Sequence, residues 1–175
     1  LFLGAEHRLP SAYLPTHELS PLLHWTKEQL VVLIQCLGLH DLREEMRGIV
    51  DKLLLQKIQA ALSEKQRLYL RVCPQQKERL HAVKLGLHWQ DMTPYQLQRT
   101  LQKRGLARLA VAFGDLHPDF VWTIAHVLDR GRGQILLNFL SKPYMPKVIQ
   151  VLKFQVIHLM EFLSRPPATQ KRRSK

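Results

Sequence analysis

The chain has 175 residues, and 46% of them are hydrophobic, enough to bury a core and to exclude global disorder. Lysine and arginine total 26 against 14 acidic residues, a formal net charge of +12. No uncharged apolar run reaches the roughly 18 residues of a membrane span, and two cysteines are too few for a disulfide scaffold.

Taken in chain order, residues 1–20 read as an extended lead-in, because Pro10 and Pro15 lie among Ser and Gly. Ser20 before Pro21 marks a first helix start. Thr26 is placed to N-cap a helix over Lys27 to Leu37, whose face is Leu30, Val31, Ile34 and Leu37. Gly38 is expected to end it in the left-handed conformation. A second helix is expected from about His40 to Val50, and a third after Asp51 with Leu54, Leu55, Ile58 and Leu62 on one side. Ser63 caps a fourth, which stops before Pro74. A linking helix is expected over about 75–85. Thr93-Pro94 then opens a helix that Gly105 is expected to stop. Pro118 opens the next, to Leu128, and Asp129 caps another. The last helix, Pro146 to Leu163, is the most apolar and calls for burial over most of its circumference. That requires either a place in the middle of the domain or a partner groove or dimer face.

The tail from Arg165 carries Arg165, Lys171, Arg172, Arg173 and Lys175 with no acid. It supplies five positive charges and leaves +7 on residues 1–164. Two prolines and no apolar period predict a disordered basic arm, which is either a solubilising tail or an anion-binding one. Lys171, Arg172, Arg173 and Lys175 are the candidate anion-binding residues, suited to phosphate, anionic lipid or an acidic protein surface.

The chain also carries an internal repeat. Leu23-His24-Trp25 recurs as Leu87-His88-Trp89. Thr26 then matches Thr93, Gln29 matches Gln96, Ile34 matches Leu101, Gly38 matches Gly105 and Leu42 matches Leu109. After one dropped residue, Ile58 matches Ile124 and Leu70 matches Leu136. The expected fold is therefore all-α, with two tandem similar bundles of short helices over 21–86 and 87–164 and a long apolar C-terminal helix.

Signs of catalysis are sparse. The nine histidines form no His-x3-His pair, and no Cys-x2-Cys occurs, so neither metal ligands nor a cofactor is expected. Phosphate-binding glycine loops are missing too. Arg130-Gly131-Arg132-Gly133 looks like a fragment of an RNA-binding tract, but a helix-start turn after Asp129 explains its glycines better. No catalytic residues are expected.

The segment Gln96-Leu97-Gln98-Arg99-Thr100-Leu101, then Leu106 to Phe113, then Asp115-Leu116-His117-Pro118-Asp119 and the closing helices resembles the C-terminal part of the flagellar motor switch protein family FliG. The resemblance covers about 70 residues, and residues 21–86 look like a degenerate copy. It implies short helices stacked in an armadillo-like way, a scaffold in secretion-linked ring machines, and no catalysis. One departure is marked. Where the family carries charges that meet the stator, this chain has Phe120, Val121, Trp122, Thr123, Ile124, Ala125 and His126. That points away from motor torque and toward a non-flagellar assembly such as a type III secretion apparatus. Phe120, Trp122, His126, Arg130 and Arg132 are the candidate partner surface.

The expected function is a non-catalytic scaffold or adaptor that binds other proteins of a multi-subunit bacterial assembly. The alternative is a basic helical nucleic-acid-binding protein, supported by the net charge and the tail. No secretory leader is recognisable at the start of the sequence, and the cysteine usage suits a reducing compartment. A cytoplasmic location, or one at the cytoplasmic face of the membrane, is expected, with peripheral contact to anionic lipid through the tail.

Overall fold

The computed structural model describes residues 8–74, 86, 88–141 and 143–165. Among them the regular structure is helical, with seven α-helices and no strand. They are α1 (Lys27–Met46), α2 (Lys52–Ala60), α3 (Glu64–Val72), α4 (Pro94–Ala112), α5 (Pro118–Val127), α6 (Arg130–Leu140) and α7 (Pro146–Ser164). Short 3-10 turns occupy Ser11–Tyr13 and Ser20–His24. None of these helices is long and apolar enough to cross a membrane. The linking helix expected over 75–85 lies outside the described residues, as do Lys171, Arg172, Arg173 and Lys175 of the tail.

Local chemistry sets most of the helix starts. Thr26 and Thr93 each accept a bond from the third helical N–H, and the Gln29 and Gln96 side-chain oxygens each accept one from the cap residue's own N–H. Ser63 and Gln66 form a third such box. Asp51 caps α2, and Asp129 caps α6 by accepting from Arg132 N–H at 3.1 Å. Ahead of α5, His117 Nδ1 accepts from Asp119 N–H at 3.2 Å. The lead-in is anchored rather than merely extended: Leu14 and Leu19 are buried in the core, as is Leu22 just after it.

Gly38 and Gly105 do something other than stop helices. Both lie inside continuous helices, and among the described residues only Gly86 has a positive φ. The two pieces expected on either side of Gly38 are one helix, α1. The reason is a close crossing of α1 and α4, the most extensive helix pair in the fold. A Cβ on Gly38 would strike the Leu101 carbonyl, and one on Gly105 would strike the Ile34 carbonyl. Only glycine lets the two backbones come this near.

The contacts are reciprocal. Gly38 matches Gly105 in the repeat and Ile34 matches Leu101, so exchanging the two copies exchanges the two contacts. Asp41 and Arg108, also matching positions, form an ion pair across the same crossing. This self-complementary pattern is that of an isologous interface. In chain order α1, α2 and α3 start at 27, 52 and 64, and α4, α5 and α6 start at 94, 118 and 130. Both sets contribute to a single buried cluster that runs from Leu14 to Met160. Trp25 and Trp89, matching residues ahead of α1 and α4, are both half-buried against that core.

α7 packs on α4 and α1. Ile149, Leu152, Gln155, Val156, Leu159 and Met160 face inward. Phe154 points away and is 64% exposed, so the apolar circumference is covered only in part.

Candidate functional site

α5 decides which of the expected surface residues reach solvent. Its inner face is Phe120, Val121, Ile124 and Ala125, at helical spacing. Phe120 is therefore removed from the candidate partner surface. It is 1% exposed, edge-on to Phe113 with ring centroids 5.4 Å apart and to His17 at 4.6 Å. Trp122 and His126 stand one turn apart on the outer side, half-buried and exposed respectively. Their rings lie 3.5 Å apart by centroid, and His126 Nδ1 is 2.8 Å from the Trp122 carbonyl oxygen.

A residue that sequence reasoning missed completes this site. The Arg8 guanidinium carbon lies 3.1 Å from the centroid of the Trp122 ring, a cation–π stack. The lead-in is held there by Leu9 N–H, which donates to Asp119 Oδ2 at 3.1 Å. Beside the stack is a cleft of about 440 Å³, lined by Arg8, Trp122, Gln134, Leu137, Asn138 and Ser141. Arg8 Nη1 is buried without a hydrogen-bond partner among the described residues. Arg130 is exposed at the start of α6. Arg132 is committed internally: it is ion-paired to Asp129 and donates from Nη2 to Gln102 Oε1 at 2.8 Å, tying α6 to α4. The structure thus brings Trp122, His126 and Arg8 together, and leaves Phe120 in the core.

A second cluster, also missed, is buried where α1, α3, α4 and α7 meet. His40 Nε2 lies 3.0 Å from the Tyr69 hydroxyl, and His40 Nδ1 lies 3.4 Å from the Cys73 sulfur. Arg108 donates to both Asp41 oxygens, at 2.5 and 3.3 Å, and to Gln155 Oε1 at 2.9 Å. A Cys–His pair can be a nucleophile and its base, but a nucleophile needs a thiolate and access. Burial pushes the Cys73 thiol up to about 11 and the Cys36 thiol up to about 12. Burial, with the Arg108 charge beside it, brings His40 down to about 3. Cys73 and His40 are 3% and 4% exposed. At neutral pH the pair is a protonated thiol against a neutral imidazole, which ties α3 to α1. Among the described residues no group of three or more His, Cys, Asp or Glu side chains is arranged to hold a metal ion.

His40 makes the fold acid-sensitive. Its folded pKa is below the unfolded value of about 6.5, so the unfolded chain takes up the proton first. This contribution is complete above about pH 6.5 and is lost as the pH falls toward 3. Unfolding free energy from urea titrations should fall by up to about 1.4 kcal/mol per pH unit in that window from this group. His40→Gln should flatten that part of the slope; an unchanged slope would mean the imidazole titrates freely.

Comparison with protein-family models, with curated proteins and with solved structures finds no match to this chain.

Proposed function

We propose that this protein is a non-catalytic helical scaffold that binds other proteins, with the Arg8–Trp122–His126 face as its contact site. The observation that carries the reading is the guanidinium–indole stack beside a cleft whose apolar wall is Leu137. Tryptophan and arginine in partly desolvated notches are the side chains that dominate protein interfaces. The buried Cys73–His40 pair supports a non-enzymatic reading, since burial keeps it in its unreactive form. The FliG-like order of residues 96–164, with the matching set of helices ahead of it, supports two similar helical units and a place in a bacterial secretion or flagellum-like assembly. The cytoplasm, or the cytoplasmic face of a membrane, is the compartment this reading requires.

Trp122→Ala tests it. The ring is half-buried, so the fold should survive, with a loss of about 1 kcal/mol or less. Cross-linking and pull-down from the source cells should recover a protein with wild type and at least about tenfold less of it with the variant, the scale of a hot-spot loss. Equal recovery by both chains would remove this face from the function.

The second reading, nucleic-acid binding, is favoured by the net charge of +12. It predicts tight binding to random duplex DNA at physiological salt, with a steep salt slope that flattens by about 0.9 for each phosphate contact removed with residues 165–175.

A further inference from the structure

The outer side of α4 carries a basic stripe. Tyr95, Arg99 and Lys103 are spaced by four residues, so they stack along one line of the helix. Tyr95 is 73% exposed, and Arg99 and Lys103 are exposed as well. Beside the stripe, α4 and α6 form a groove of about 470 Å³. Its lining is Arg99, Thr100, Lys103, Arg104, Ala107 and, from α6, Phe139. No carboxylate is among these residues.

Two charges of this groove, Arg99 and Lys103, are not neutralised by any described residue. Arg108, Arg132 and Lys153 pair with Asp41, Asp129 and Asp115. Arg99 and Lys103 make no ion pair or hydrogen bond with any described residue. Two exposed cations one turn apart therefore stand over a floor that includes the small Ala107 and the half-buried Phe139. Cations that close to each other repel unless an anion lies between them.

We propose that the α4–α6 groove docks an acidic amphipathic helix of a partner protein; this deepens the protein-binding reading and rests on it. The stripe from Tyr95 to Lys103 runs about 12 Å, the length of two helical turns. A partner helix with carboxylates four residues apart sets one against Arg99 and one against Lys103. Its apolar side then enters over Ala107 and Phe139, the helix-in-groove mode. Charge complementarity fixes the direction of docking and speeds encounter. A single nucleic-acid strand fits less well. It needs rings open for stacking along its path, and Phe139 is turned into the groove floor with only Tyr95 standing free.

The test uses the full chain and three labelled probes, read by fluorescence anisotropy. One is a 20-residue helical peptide with a leucine face flanked by glutamates four residues apart. The second has lysine in place of each glutamate. The third is a 20-nucleotide oligothymidylate. The Arg99→Glu/Lys103→Glu variant is compared with Arg67→Glu/Arg71→Glu, which makes the same charge change at the same spacing on exposed positions of α3. Circular dichroism checks that both variants fold.

The glutamate peptide should bind wild type best, and the α4 variant should lose at least about tenfold in affinity while the α3 control stays within about threefold. Equal loss in both variants would mean a non-specific charge effect and would overturn the proposal. So would failure of the glutamate peptide to bind, or equal binding of the lysine peptide. Oligothymidylate binding that exceeds the peptide's and vanishes in the α4 variant would make the groove a nucleic-acid site instead. The Trp122→Ala test reads a different set of residues, so either result can fail while the other holds.

Discussion

Gly105→Ala is expected to destabilise the fold by about 2 kcal/mol or more, although a single methyl group is all that is added. In an open helix the same change stabilises by about 0.5–1 kcal/mol, because alanine loses less backbone entropy. Here the new Cβ falls on the Ile34 carbonyl, which is backbone and cannot rotate away. α1 and α4 must separate, and every contact along the closest helix pair loosens with them. Gly38→Ala meets the Leu101 carbonyl and should behave alike. Gly131→Ala is the internal control: it lies within α6, and the nearest atom to its added Cβ is the Asp129 side-chain oxygen at 3.4 Å. That variant should be neutral or more stable by up to about 1 kcal/mol. Because the two crossing glycines share one interface, the double variant should cost less than the sum of the singles. Urea denaturation of the four chains checks all of this. A Gly105→Ala protein as stable as wild type would mean the helices do not touch there.

The same glycines show where sequence reasoning reached and where it stopped. Thr26, Asp51, Ser63, Thr93 and Asp129 start helices through bonds to their own next few residues, so the chain itself carries the signal. A glycine is ambiguous at that range. It ends a helix when it turns left-handed, and it stays inside one when another backbone needs its space. Leu39, His40, Asp41 and Leu42 are all buried, so α1 has no clean polar side to reveal its continuity past Gly38. In α5 the sequence reading set Phe120 on the partner surface with Trp122 and His126, but Phe120, Val121, Ile124 and Ala125 form the buried face and Trp122 and His126 lie on the other. Arg8 was not readable, since nothing in its surroundings in the chain refers to a tryptophan 114 residues away. The His40–Tyr69–Cys73 cluster is hidden in the same way, because it forms only when α3 folds back on α1.

The ion pair across the helix crossing supplies the second large effect. Asp41→Ala should destabilise by about 3–5 kcal/mol, the usual result of leaving one charge of a buried pair unpartnered. The Asp41 and Arg108 side chains are 11% and 12% exposed, so little water reaches either charge. Without Asp41, the one acceptor left to the Arg108 guanidinium among the described residues is Gln155 Oε1 on α7. The strain should therefore be felt in α7 as well as in the crossing. Amide hydrogen exchange should accelerate in α7 before it does in α5, which has no part in the network. Replacing both partners, Asp41→Leu with Arg108→Met, removes the orphaned charge and both desolvation penalties. It should recover most of the loss, because apolar groups of similar volume often replace a buried pair at no net cost. The two positions match in the repeat, so two identical copies would place like charges, or like neutral groups, against each other at this point. Opposite charges at this point favour α1 against α4 over either helix against itself. If Asp41→Ala changes stability by less than about 1 kcal/mol, the pair is screened by solvent and does not select the crossing.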